Sequence, residues 1–101
     1  MSEPKRISPE EAHSLVASEG YTYVDVRTDA EFAAGHPKGA NNVPYMLAGP
    51  AGMTKNPDFL EVMKAVYPLD ARLVIGCKSG GRSLKAVTEL LGAGYTSIVD
   101  Q

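Results

Sequence analysis

Leu73-Val74-Ile75-Gly76-Cys77-Lys78-Ser79-Gly80-Gly81-Arg82-Ser83 is the stretch on which the reading of this chain turns. It opens with an apolar run of the kind a buried strand carries. It is followed by Leu84, Val87, Leu90 and Leu91 at helical spacing. The segment between them is a strand-to-helix turn, and it holds Cys77, the only cysteine of the chain. A helix N-terminus presents backbone N–H groups that have no intrahelical partner. A thiolate is favoured there, and so is an anion attached to it. Lys78 and Arg82 add positive charge, and Gly80-Gly81 lets the backbone close tightly around the sulfur. Singly, these features have plainer readings: a lone cysteine is usually an inert core residue, and a Gly-Gly pair is an ordinary turn. A strand before, glycines and cations beside, and a helix after point together to a nucleophile.

The composition sets the frame. A chain of 101 residues suits one domain, spanning 1–101, and 44% hydrophobic residues suffice for a single core. A formal charge of −2 provides no basic field for nucleic acid and no acidic tail. The apolar runs are too short to cross a membrane. The opening Met1-Ser2-Glu3-Pro4-Lys5-Arg6 has no apolar signal region and is not rich in Arg and Ser. One cysteine excludes an internal disulfide and fits a reducing compartment. The expected location is the cytoplasm, or a plastid if a transit peptide has been removed.

Ser8-Pro9-Glu10-Glu11 is a capping box with proline at the first helical position. Ala12, Leu15 and Val16 mark one face of that helix, and Gly20 ends it. Tyr21 to Val26 is rich in β-formers and reads as a strand. Thr28-Asp29-Ala30-Glu31 is a second capping box, opening a short helix that stops at Gly35. Asn41 to Pro44 is a weak strand, and Leu47 to Lys55 reads as a Gly/Pro-containing loop. Asn56-Pro57 starts a third helix with Phe59, Met63, Val66 and Tyr67 on its apolar face. Leu73 to Ile75 is a buried-type strand. Ser83 to Leu91 is the fourth helix, and Ser97-Ile98-Val99 is a last strand. Alternating strands and helices imply an α/β fold, a mainly parallel sheet of about five strands with helices on both faces. Ligands of such folds bind beyond the carboxyl ends of the strands. The Cys77 loop begins at one such end, and Asp25-Val26-Arg27 lies at another.

Several motifs, in order, resemble those of the single-domain rhodanese-like sulfurtransferases. They are Val24-Asp25-Val26-Arg27-Thr28, Glu31-Phe32, Gly35-His36, Gly39-Ala40-Asn41-Asn42-Val43-Pro44, the loop Cys77 to Ser83, and Ala86, Leu90-Leu91 and Gly94-Tyr95. The resemblance covers nearly the whole chain, and the insert from Tyr45 to Pro57 is most similar to the plant-type enzymes. It implies a thiosulfate sulfurtransferase. The Cys77 thiolate takes the outer sulfur of a small anionic donor, sulfite leaves, and a thiophilic acceptor then removes the sulfur from the Cys77 persulfide. Cyanide, glutathione or a thioredoxin-like protein is the expected class of acceptor, and no metal or organic cofactor is required. Loop N–H groups from Lys78, Ser79, Gly80, Gly81, Arg82 and Ser83 would surround the sulfur anion. Lys78 would attract the donor, and Arg82 would anchor the loop or bind the donor's sulfonate. The family's C-terminal segment, a Gly-Gly stretch and a closing helix with tryptophan, has no counterpart before Gln101, so that helix is expected to be absent. Pro37-Lys38 stands where the family has an apolar residue and then proline, implying a local change only.

Other readings are weaker. Cysteine phosphatases need arginine six positions after the cysteine to wrap a phosphate. Arg82 is five after Cys77; the shorter loop suits a persulfide sulfur, which the resemblance implies is the sulfurtransferase form, and this disfavours phosphatase or arsenate reductase chemistry. Gly76 to Ser83 matches a P-loop except that Arg82 replaces the lysine, whose point charge arginine does not copy. A non-catalytic binding or regulatory module is the rival from another class, and the intact Cys77 argues against it. Asp25 and Arg27 share a strand face, and a buried ion pair that supports the fold outweighs a catalytic role for them. His36 reads as a loop-bonding residue rather than a base, and His13 as exposed. Two distant histidines and one cysteine make no metal site. Tyr21, Tyr23 and Tyr45 read as half-buried aromatics, and Met46 and Met53 as a soft surface for a protein acceptor.

Overall fold

The computed structural model describes residues 5–50, 52–77 and 81–101. Lys78, Ser79 and Gly80 lie outside them. In chain order the elements are α1 (Pro9–Ser18), β1 (Thr22–Asp25), α2 (Asp29–Ala34), β2 (Asn41–Asn42), β3 (Met46–Gly49), β4 (Gly52–Lys55), α3 (Phe59–Val66), β5 (Arg72–Gly76), α4 (Gly81–Gly92) and β6 (Ser97–Asp100). Both capping boxes form: the Ser8 hydroxyl accepts from Glu11 N–H and the Thr28 hydroxyl from Glu31 N–H, with each glutamate bonded back to its cap.

Among the described residues four strands make the main sheet in the order β2-β1-β5-β6, all parallel. This agrees with the expected mainly parallel sheet of about five strands, and Arg6 adds an isolated parallel bridge to Asp100 at the β6 edge. The segment read as a loop instead contains a separate antiparallel hairpin, β3–β4. Its residues are almost all exposed on both faces, so no apolar alternation marks them as strands. Gly52, the first residue of β4, has φ 106°, a conformation that favours glycine.

The sheet is buried on both faces by helices. On one face Val24, Val26, Leu73, Ile75 and Ile98 pack with Phe59 and Met63 of α3 and Ala86, Val87 and Leu90 of α4. On the other, Tyr23 and Val74 pack with Ile7, Ala12 and Ala40, flanked by Leu15 and Phe32. Residues Leu73 to Gly76 of the central strand β5 are therefore buried throughout, as a parallel strand sandwiched between helices requires.

Two helices depart from the reading in detail. α3 begins at Phe59 rather than at Asn56-Pro57, because Asn56 folds into a turn in which its Oδ1 accepts from Asp58 N–H. Val66 is exposed, and the buried positions of α3 are Phe59 and Met63. In α4 the buried stripe is Ser83, Ala86, Val87 and Leu90, while Leu84 faces solvent. Among the described residues no helix is long and apolar enough to cross a membrane.

Candidate active site

β5 carries the chain straight to Cys77, which is half-buried at its carboxyl end. The first turn of α4 then returns over the sulfur. Ser83, fully buried, donates its backbone N–H to Cys77 Sγ at 3.3 Å, and its hydroxyl accepts from the thiol at 3.4 Å. A helix-end N–H thus points at the sulfur, as the strand-turn-helix reading requires. Of the residues read as the sulfur cradle, Gly81, Arg82 and Ser83 form the first turn of α4; the other three fall outside the described set.

Asp25 and Arg27 do pair. Asp25 is 1% exposed, and its carboxylate accepts from Arg27 Nε at 3.0 Å, Nη2 at 2.7 Å and the backbone N–H at 3.0 Å. Arg27 Nη2 also donates to the Gly35 carbonyl. Asn42 Nδ2 donates to the carbonyls of both Asp25 and Arg27. This network ties the end of β1 to the end of α2 and to β2.

Arg82 pairs with Glu31 of α2. Its Nη1 and Nη2 donate to Glu31 Oε1 at 2.6 Å and Oε2 at 3.0 Å, a bidentate fork that commits both terminal nitrogens to a carboxylate. Nη1 also lies 4.0 Å from Met53 Sδ at the hairpin. The guanidinium pulls the Glu31 pKa down to about 2, with further help from the Thr28 N–H and hydroxyl. Sequence reading saw Glu31 as a capping residue and as part of a family motif, without a partner. Its partner is 51 positions away, and no local spacing reports such a pair.

Tyr23 is the other residue that sequence reading undervalued. Its ring is buried, and its hydroxyl lies so close over Gly76 that a β-carbon there would sit 1.8 Å from the oxygen. Burial, and secondarily the charge of Asp25, pushes the phenol up to about 12, so it stays protonated and offers no base at neutral pH. His36 bonds as a loop residue: its ring stacks on Phe32 at 3.7 Å and Nδ1 meets the Phe32 carbonyl at 2.8 Å. Tyr45 belongs to the core, edge-on to Phe59. Met53 is exposed, whereas Met46 is partly buried against the core.

Residues 8–100 match the family described as the Rhodanese-like domain. The chain belongs to that family. Among curated rhodanese relatives it is 50% identical over 97 residues to Thiosulfate sulfurtransferase 16, chloroplastic, of Arabidopsis thaliana, covering 96% of this chain and 80% of that one. It is 46% identical over 90 residues to Thiosulfate sulfurtransferase 18 of the same plant, covering 87% of this chain and 65% of the relative. Among solved structures it matches the human single-domain sulfurtransferase TSTD1 with a TM-score of 0.70 and 31% identity, covering 98% of this chain and 88% of that chain. The rhodanese-like α/β architecture and the assignment to a sulfurtransferase family follow.

Proposed function

We propose that this chain is a thiosulfate-type sulfurtransferase working through a persulfide on Cys77. The observation that carries the reading is the Ser83 N–H directed at Cys77 Sγ from the first turn of α4. Such a donor favours the thiolate as nucleophile and then the persulfide anion as intermediate. In the first step the thiolate attacks the outer sulfur of thiosulfate. A Cys77 S–S bond forms, the S–S bond of thiosulfate breaks, and sulfite leaves with its electron pair. In the second step an acceptor thiolate or cyanide attacks the outer persulfide sulfur, and Cys77 leaves as the thiolate. Neither step needs a metal or an organic cofactor.

The names of the relatives support thiosulfate as the donor class. Since Arg82 is committed to Glu31, Lys78 is the cation of the loop proposed to attract the donor anion. A small thiol such as glutathione, or a thioredoxin-like protein, is the proposed acceptor, and neither nucleic acid nor a membrane is a proposed partner. The proposed location is the cytoplasm or a plastid, the latter supported by the chloroplastic relative. The test is direct. Purified protein incubated with thiosulfate should gain the mass of one sulfur atom on the peptide containing Cys77, and a thiol acceptor should remove it. A wild-type protein that gains no sulfur would leave the fold acting as a binding module.

A further inference from the structure

We propose that Glu31 is a positioning residue for the sulfur site: fixed by the Thr28 cap, its carboxylate holds Arg82 and so sets the direction of the Ser83 N–H toward Cys77. The inference rests on the Cys77 reading above, but on different contacts. Glu31 Oε1 accepts from Thr28 N–H at 3.1 Å, from the Thr28 hydroxyl at 3.0 Å and from Arg82 Nη1 at 2.6 Å, while Oε2 accepts from Arg82 Nη2 at 3.0 Å. Thr28 is itself buried and follows Arg27, which is clamped to Asp25. The chain of contacts therefore runs from the rigid end of β1, through the cap of α2, across to the first turn of α4. Arg82 is the residue before the amide that meets the sulfur. A helix end that has lost its tether is free to fray, and a frayed first turn aims its N–H groups elsewhere.

Charge alone and positioning predict opposite results. Among the described residues the charged groups around this site include Arg82, Glu31, Arg27, Asp25 and Asp100, with the neutral Tyr23 phenol beside them. Removing the negative charge of Glu31 while all else stays in place would ease ionisation of Cys77. Removing the tether would withdraw the N–H from the sulfur and make ionisation harder.

Glu31→Gln is the decisive variant, because glutamine keeps the capping box and with it the fold of α2, but cannot form the charged fork with Arg82. The rate of Cys77 alkylation by iodoacetamide is to be followed against pH for wild type, Glu31→Gln, Arg82→Gln and the double variant, beside thiosulfate kinetics. Glu31→Gln is expected to move the alkylation inflection upward by about half a pH unit or more. Turnover is expected to fall about threefold or more, with KM for thiosulfate changed less than about twofold. The double variant should be no worse than Arg82→Gln within about twofold, since both act through one pair. An inflection that stays in place or moves down, or losses that multiply in the double variant, would overturn the proposal. Alkylation reads the sulfur cradle without any donor. Wild-type protein that turned over no thiosulfate would thus refute the donor assignment and leave this test intact.

Discussion

At Gly76 only a hydrogen separates the central strand from the Tyr23 ring. A β-carbon there would lie 1.8 Å from the phenol oxygen and 2.4 Å from Cζ. The ring has little room to retreat, being packed with Ile7, Ala12, Ala40 and Val74. Gly76→Ala is therefore expected to cost about 1–3 kcal/mol in urea unfolding, the range for overpacking a core. The cost should shrink in a Tyr23→Leu background, because the two changes share one space. Equal costs in both backgrounds would show that the ring is not the obstacle. One residue further on, Cys77→Ser should abolish sulfur transfer while the unfolding midpoint changes little. The hydroxyl is nearly isosteric and still accepts the Ser83 N–H, but its pKa is far too high to supply the nucleophilic anion. Thiosulfate:cyanide activity that survived in this variant would remove Cys77 from the reaction. Cys77 was legible in the sequence because its neighbours on both sides carry local signals. The Tyr23 contact was not, since it joins two strands through a register that no single segment encodes.

At the scale of the element, α4 couples packing to chemistry. Its buried stripe, Ser83, Ala86, Val87 and Leu90, seats the helix on the sheet. Arg82, one position from that stripe, reaches sideways to Glu31. The reading from large apolar residues placed Leu84 in this stripe and missed Ser83, because helical faces are often lined by small residues that hydropathy undervalues. Arg82→Lys should cost more than its conserved charge suggests. A lysine offers one ammonium where the guanidinium offers a planar fork to two oxygens. Faster hydrogen exchange at the Ser83 amide and reduced turnover are the expected pair of results. Wild-type values for both would mean that one point charge suffices at this position. The hairpin β3–β4 illustrates the opposite case, an element without a sequence signature. Its base is closed by Asn56, whose amide donates to the Pro44 carbonyl and whose backbone N–H donates to Tyr45.

For the whole molecule, the Glu31–Arg82 pair joins α2, which lies on one face of the sheet, to α4, which lies on the other. Its contribution depends on acid. The Glu31 pKa falls from its usual 4.5 to about 2 in the folded chain, so the folded state binds fewer protons than the unfolded chain between those values. The stabilisation is fully present above about pH 4.5 and is lost as pH falls through about 2. Because the pair is partly wetted, the effect on global stability should be on the order of 1 kcal/mol. Denaturant unfolding of wild type and Glu31→Gln across this window should show two stabilities that converge toward pH 2. Parallel curves would assign the acid loss to other carboxylates.

The sequence by itself determined the class of fold, the capping boxes of α1 and α2, the buried central strand and the place of Cys77 on a strand-to-helix turn. The caps, the strand and the turn are each written within a dozen consecutive residues, as a periodicity, a cap or a glycine turn, and the class of fold follows from the alternation of such segments along the chain. The Asp25–Arg27 pair was legible for the same reason, since alternate residues of a strand share a face. Only the tertiary structure decided which strands are neighbours, that residues 46–55 form a hairpin, that Tyr23 covers Gly76, and that Arg82 belongs to Glu31. These contacts join segments up to 53 residues apart. They exist because the parallel order β2-β1-β5-β6 sets the carboxyl ends of β1 and β5 side by side, and the pairing of strands is fixed by packing of the whole core rather than by any one stretch of chain.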